Sequence, residues 1–206
     1  RTLPKVMERI QAVKDFRLSS KAKEIRKFAE TPTLFAQQTQ PVGEPFVIVP
    51  IVSSSRRRYI PMGYVDGDTI VNNRVFLIPN ADLFMFGILN SNVHNAWMRK
   101  VAVRLKNDYS YSKDLVYNTF PIPELTVEHK KNISETAKSI LDARAFYPNS
   151  SLADLYDPLT MPPELLKAHN ANNRAVMEAY GFSTKMSEAD CVAELMKMYQ
   201  KLTEEK

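Results

Sequence analysis

One cysteine, five glycines and three histidines in 206 residues exclude several kinds of chemistry at the outset. Cys191 alone cannot build an internal disulfide framework, and its isolation fits a reducing, cytoplasmic setting. The glycines fall at 43, 63, 67, 87 and 181 and never form a G-x-G pair, so no loop is available to cradle a cofactor phosphate. His94, His129 and His169 are far apart and lack metal-ligand spacing, so each reads as a surface or packing residue. No G-x-S-x-G and no Cys/His arrangement is present. No apolar run approaches the roughly 20 residues that a membrane helix needs, and no signal peptide is visible. The chain opens on Arg1 rather than Met and is expected to be a piece of a longer protein.

What is present is an ordinary globular composition, 44% hydrophobic, with a net charge of +5 that is unevenly spread. Residues 1–60 carry 12 basic and 5 acidic side chains; residues 61–125 carry 6 of each; residues 126–206 carry 10 and 12. Positive charge at the front suits a polyanionic partner, and its absence from the back suggests two units.

Residues 1–30 read as helical, with Val6, Ile10 and Val13 on one face. Leu18-Ser19-Ser20 breaks the pattern, and Ser20 is placed to cap a short second helix that turns Ala22, Ile25, Phe28 and Ala29 inward. From Pro45 the spelling becomes strand-like: Phe46 to Val52, Arg57 to Val65 and Thr69 to Ile78, with Asp66-Gly67 as a hairpin signal between the last two. Leu89, Val93 and Trp97 then mark the apolar face of a helix ending in Arg99 and Lys100. Residues 126–206 read as all helical. Thr126 opens one helix, with Ile133, Ala137, Ile140 and Leu141 inward. Pro162-Pro163 starts the next, with Leu166, His169, Val176, Met177 and Tyr180 inward and Gly181 as its C-cap. Ser187 and Asp190 cap the last, which buries Val192, Leu195, Met196, Tyr199 and Leu202. The expected fold class is α+β: a domain with a mixed or antiparallel sheet over 1–125, then a small all-α domain over 126–206.

Three stretches carry recognition chemistry. Ser53-Ser54-Ser55-Arg56-Arg57-Arg58 offers hydroxyls and guanidinium groups that suit phosphate oxygens, the reading favoured by its place between two strands, with a solvated surface run as the alternative. Asn72-Asn73-Arg74 interrupts the third strand with side chains that can read bases, or forms a turn. Arg104 to Ser112 is a run of polar side chains and tyrosines in which Lys106 and Asp108, two apart on a strand, would share a face. Lys suits guanine O6 and N7 while Asp accepts from cytosine N4, so the pair can read one G·C base pair; a plain salt bridge is the alternative. Tyr109, Tyr111 and Tyr117 are assigned to packing.

The pieces "FGILNSNVHNAWMR", "RLKNDYSYS", "VYNTFPIPE" and "LYDPLTMPPELLKAHNANNRAVMEAYGF", with "SSSRRRYIPMGY", cover most of the chain. It resembles the target-recognition and C-terminal domains of the MmeI-like restriction–modification enzymes, adenine-specific DNA methyltransferases fused to a nuclease. The resemblance implies double-stranded DNA as partner and places Lys106 and Asp108 where this family varies its residues to change the base it reads. It implies base contacts from Lys106, Asp108, Asn73 and Arg74, and backbone contacts from Ser54, Ser55, Arg56, Arg57, Arg58 and Arg104. The Asn-Pro-Pro-Tyr motif that such methyltransferases use at the target adenine is absent. So is a methyl-donor loop, and no catalytic, cofactor or metal site is expected here. S-adenosylmethionine would belong to an upstream methyltransferase domain that this chain contacts. A protein-interaction module without direct DNA binding is the competing reading.

Overall fold

The computed structural model describes residues 3–35, 41 and 43–204, and the chain divides into two compact units, residues 1–39 and 40–206. In the first unit α1 (Pro4–Ser19) begins with a proline, whose missing N–H costs nothing at a helix start. α2 (Lys23–Arg26) is one turn long. Ser20 does not cap it: its hydroxyl accepts from Ala22 N–H, and Ala22 itself occupies the N-cap position. The Arg17 guanidinium donates to the carbonyls of Phe28, Thr31 and Leu34 at 2.7 Å each, so one side chain holds the segment that follows α2. Ala29 is buried, whereas Ala22, Val6 and Val13 are exposed.

The second unit contains two three-stranded antiparallel sheets. One has the order β3 (Gly63–Val65), β1 (Phe46–Pro50), β4 (Val75–Ile78). The other has the order β2 (Val52–Ser53), β6 (Asp108–Ser110), β5 (Val103–Leu105). Three strand expectations are corrected. The run from Phe46 to Val52 changes sheets at Ile51, whose N–H donates to Arg74 C=O and whose C=O accepts from Tyr111 N–H. Residues 57–62 and 69–74 lie outside strands, because β1 supplies ladder partners only to Gly63–Val65 on one side and Val75–Ile78 on the other. Asp66-Gly67 therefore joins two strands separated by β1 and makes no β3–β4 hairpin. A Cβ on Gly67 would lie 2.3 Å from the Glu44 backbone nitrogen, so close backbone approach requires the glycine.

The expected helix around Leu89 is two helices, α3 (Leu83–Leu89) and α4 (Asn92–Val101). Asp82 and Ser91 cap them, accepting from Met85 N–H and His94 N–H, and a second cap inside the apolar stripe is what splits it. A π-helical turn, Lys113–Tyr117, leads to the proline-rich connection. Then come α5 (Val127–Ala145), α6 (Leu152–Leu155), α7 (Pro163–Ala179) and α8 (Glu188–Glu204). Thr126 and Ser187 cap as expected. Gly181 closes α7 at φ +70°, with Phe182 N–H donating to Met177 C=O. In α7 it is Leu165, with Asn172 and Asn173, that is fully enclosed, and Leu166 is half-buried; Leu202 on α8 is exposed.

Residue 125 lies inside this unit, and its core draws on both sides of that point: Val47, Phe86, Trp97 and Val116 pack in one cluster with Ile133, Ile140, Leu165 and Leu195. α3 sits so close to α5 and α7 that a Cβ on Gly87 would lie 2.7 Å from Ile133 Cγ2. Buried polar side chains key these layers. Asn172 donates to Gly87 C=O at 2.8 Å, and Asn173 donates to the Tyr59 hydroxyl at 2.7 Å while accepting from Asn92 N–H. No helix among the described residues is long and apolar enough to cross a membrane.

Candidate nucleic-acid interface

β2, β6 and β5 bring two of the three recognition stretches together. Val52 faces Ser110 and Ser53 faces Tyr109, so the chain leaving β2 runs toward the tip of the β5–β6 hairpin. There Ser55 N–H donates to Asp108 Oδ1 at 3.2 Å, fixing the serine–arginine run against residues 53 positions later. The run is a turn: Arg57 N–H donates to Ser54 C=O and Arg56 N–H to the Ser54 hydroxyl.

Its three arginines have different surroundings. Arg56 is exposed. Arg57 is half-buried and its Nη2 donates to Ala153 C=O at 3.4 Å, so part of its fork is already used. Arg58 is exposed beside the Tyr59 ring, and its carbonyl accepts from Arg99, whose guanidinium also grips Glu188 at 2.7 and 2.8 Å.

Lys106 does not share a strand with Asp108. β5 ends at Leu105 and β6 begins at Asp108, leaving Lys106-Asn107 as a two-residue hairpin turn with Lys106 at φ +57°. Positive φ at the first turn position matches a type II′ turn, where glycine is the usual residue. The sequence has no glycine there to announce the reversal. Lys106 is exposed at the tip and Asp108 stands at the start of β6, half-buried; no ion pair joins them among the described residues. Arg104 braces the same turn from the other face. Its guanidinium lies 3.7 Å from the Tyr109 ring centroid and its Nη1 donates to Asn107 C=O at 2.9 Å.

Asn73 and Arg74 sit elsewhere. They form a turn ahead of β4, in which Asn72 Oδ1 accepts from Arg74 N–H at 2.8 Å, and do not interrupt the strand. Through Arg74 C=O they adjoin Ile51, and hence the Tyr111 end of β6, about 10 Å of strand from the hairpin tip. Both side chains are exposed.

The tyrosines belong to the packing beneath. Tyr109 and Tyr111 are buried. His94 Nδ1 lies 3.0 Å from Leu89 C=O, which can only accept, so Nδ1 carries the proton and Nε2 accepts from the Tyr111 hydroxyl at 3.1 Å. Burial lowers the His94 pKa to about 4. His169, stacked on Tyr59 at 4.2 Å and 2.6 Å from the Tyr156 hydroxyl, is lowered to about 3 by burial and then by the nearby Arg144 cation. Buried neutral imidazoles of this kind are structural.

The sequence reading missed the exposed apolar residues on this sheet: Val52, Val103 and Leu105. Their signal was alternation with Arg104 in a hairpin too short to bury both faces. Gly67 and Gly87 are consumed by close packing, and Gly181 by a helix cap.

Comparison with known proteins accords with this architecture. The family model "MmeI, target recognition domain" matches residues 1–124, and "MmeI, C-terminal domain" matches residues 126–205. DNA methyltransferase A of Bacillus subtilis (strain 168) is 42% identical over 201 residues, 98% of this chain and 23% of that protein. The solved structure of the type IIL restriction–modification enzyme MmeI in complex with DNA superposes with a TM-score of 0.86 at 46% identity, covering 97% of this chain and 26% of that one. This chain thus spans about a quarter of the length of these relatives. It belongs to the MmeI family, as the target recognition domain and C-terminal domain of such a protein.

Proposed function

We propose that this chain is the part of an adenine-N6 DNA methyltransferase, of restriction–modification type, that selects the DNA sequence. Residues 1–125 carry the recognition role and residues 126–206 support it. The observation that carries the reading is the Ser55–Asp108 hydrogen bond, which puts a basic turn and a hairpin tip with an exposed lysine on one corner. That corner offers duplex DNA phosphate ligands from Arg56 and Arg58 and base-edge ligands from Lys106 and Asp108. A relative of this family solved with DNA, at 46% identity, supports it.

Lys106 donates to guanine O6 and N7, and Asp108 uses Oδ2, the oxygen left over from Ser55, to accept from cytosine N4. Asn73 and Arg74 read a neighbouring position. Arg104 acts by holding the hairpin turn. Methyl transfer from S-adenosylmethionine, with the adenine turned out of the duplex, belongs to the rest of the longer protein, which this chain contacts and which works in the cytoplasm.

Binding to random duplex DNA over a salt series tests the phosphate contacts. The wild type is expected to weaken steeply with salt, and Arg56→Ala with Arg58→Ala to reduce the log–log slope by roughly 2. Affinity that is indifferent to salt and to both substitutions contradicts the proposal.

A further inference from the structure

The outward face of the β2–β6–β5 sheet carries an apolar strip that phosphate binding and the G·C contact leave unused. Arg104 and Tyr109 are register partners and lie together on one face, with buried Ser53 beside Tyr109. Side chains alternate along a strand, so Val103 and Leu105 point the other way. Val52, Ser110 and Val103 form one cross-strand row there, and Asp108 and Leu105 the next. Val52, Val103 and Leu105 are 39%, 55% and 57% exposed. Val103 and Leu105 adjoin along β5, and the strip reaches Val52 only across Ser110, two strands or about 10 Å away. Its polar members are the Ser110 hydroxyl and the Asp108 carboxylate.

Three branched side chains fall far short of the roughly 800 Å² per partner that a stable protein interface buries. They are the right size for one or two methyl groups. The edge of the strip carries the exposed cations Lys106 and Arg56, which complement a polyanion. A two-stranded ribbon fits the major groove, where the C5-methyl of thymine is the only apolar feature of a base edge. We infer that Leu105 and Val103 read the C5-methyl group of a pyrimidine next to the base pair read by Lys106 and Asp108. This rests on the reading of the hairpin as a base-contacting element. It makes Leu105 and Val103 specificity residues in their own right: Leu105 shares its row with Asp108, so a methyl group seated on it lies against the hydrogen-bonded pair and keeps water from it.

The test uses the full-length enzyme on duplexes bearing its own target, found by sequencing methylated adenines in host DNA. Each thymine in turn is replaced by deoxyuridine, each cytosine by 5-methylcytosine, and each guanine by 7-deazaguanine, which lacks N7. At one pyrimidine adjacent to the 7-deazaguanine-sensitive pair, loss of a methyl is expected to lower kcat/KM about fourfold, the weight of one buried methyl group. If that pyrimidine is cytosine, adding the methyl raises kcat/KM by a similar factor. Leu105→Ala abolishes this methyl dependence and keeps the 7-deazaguanine effect; Val103→Thr, nearly isosteric, weakens it. Sensitivity to 7-deazaguanine with no methyl dependence at any adjacent pyrimidine overturns the inference and leaves the hairpin reading standing. Methyl dependence that survives in Leu105→Ala also overturns it. Indifference to both kinds of replacement removes the hairpin reading and the inference together.

Discussion

Lys106 holds the hairpin tip at φ +57°, a conformation that an L-residue with a Cβ adopts at a cost of roughly 1–2 kcal/mol. Asn107 follows it, and Arg104 hydrogen-bonds the Asn107 carbonyl, so the surroundings enforce the turn and lysine tolerates it. A residue kept in a strained position for its side chain is a functional signature. Lys106→Gly relieves the strain and, against glycine's larger entropy loss on folding, is expected to leave stability within about 1 kcal/mol of the wild type. Preference for one base pair of the target is expected to disappear. Thermal melting and methylation of target variants would check both halves, and a fall in stability with specificity intact contradicts the role given to Lys106.

Among the elements, α4 and α7 each carry a buried histidine, and these give the fold a pH dependence of known sign. His94 and His169 are neutral in the folded protein, with pKa values lowered to about 4 and about 3, against 6.5 when unfolded. Between pH 6.5 and 4 the unfolded chain binds protons that the folded one refuses, so stability is complete above 6.5 and declines as pH falls toward 4 and 3. The denaturation midpoint should therefore be lower at pH 5 than at pH 7.5, with His169→Gln flattening the difference. A midpoint independent of pH over that range contradicts the assignment. Helices α5, α7 and α8 were legible because their ends are written locally, by Thr126, by Pro163 and Gly181, and by Ser187 with Asp190, whereas the cap at Ser91 that separates α4 from α3 was not read. The sheets were less so. β1 inserts itself between β3 and β4, and no local signal announces a pairing of that range; Asp66-Gly67 looked like a hairpin for that reason. At the proposed site, Arg56, Lys106 and Asp108 were legible as residue types alone. The turn at Lys106 lacked its customary glycine, and the Ser55–Asp108 bond spans 53 positions, so neither could be seen in one dimension.

At the scale of the molecule, residues 40–206 share one core even though the two family models meet at residues 124 and 126. α3 packs on α5 and α7 through Gly87, and the Asn172 and Asn173 side chains bridge residues more than 80 positions apart. A chain cut after residue 125 loses Ile133, Ile140, Leu165 and Leu195 from that core. It is expected to lack a cooperative thermal transition, which circular dichroism would reveal; a sharp melt in the truncated chain contradicts the shared core. The helical region thereby supports the sheet corner proposed to meet DNA, and its own slightly acidic charge suits a role away from phosphate.

On the proposed function, the corner formed by β2, β5 and β6 chooses the sequence that is methylated. The decisive measurement exchanges the two side chains proposed to read bases, Lys106→Asp with Asp108→Lys, in the full-length protein and sequences the methylated adenines of the host DNA. The expected result is a methylated sequence altered at a single base pair, from G·C to another pair, and unchanged elsewhere, with activity reduced because Ser55 N–H loses its acceptor. An active enzyme that still methylates the original sequence contradicts the claim.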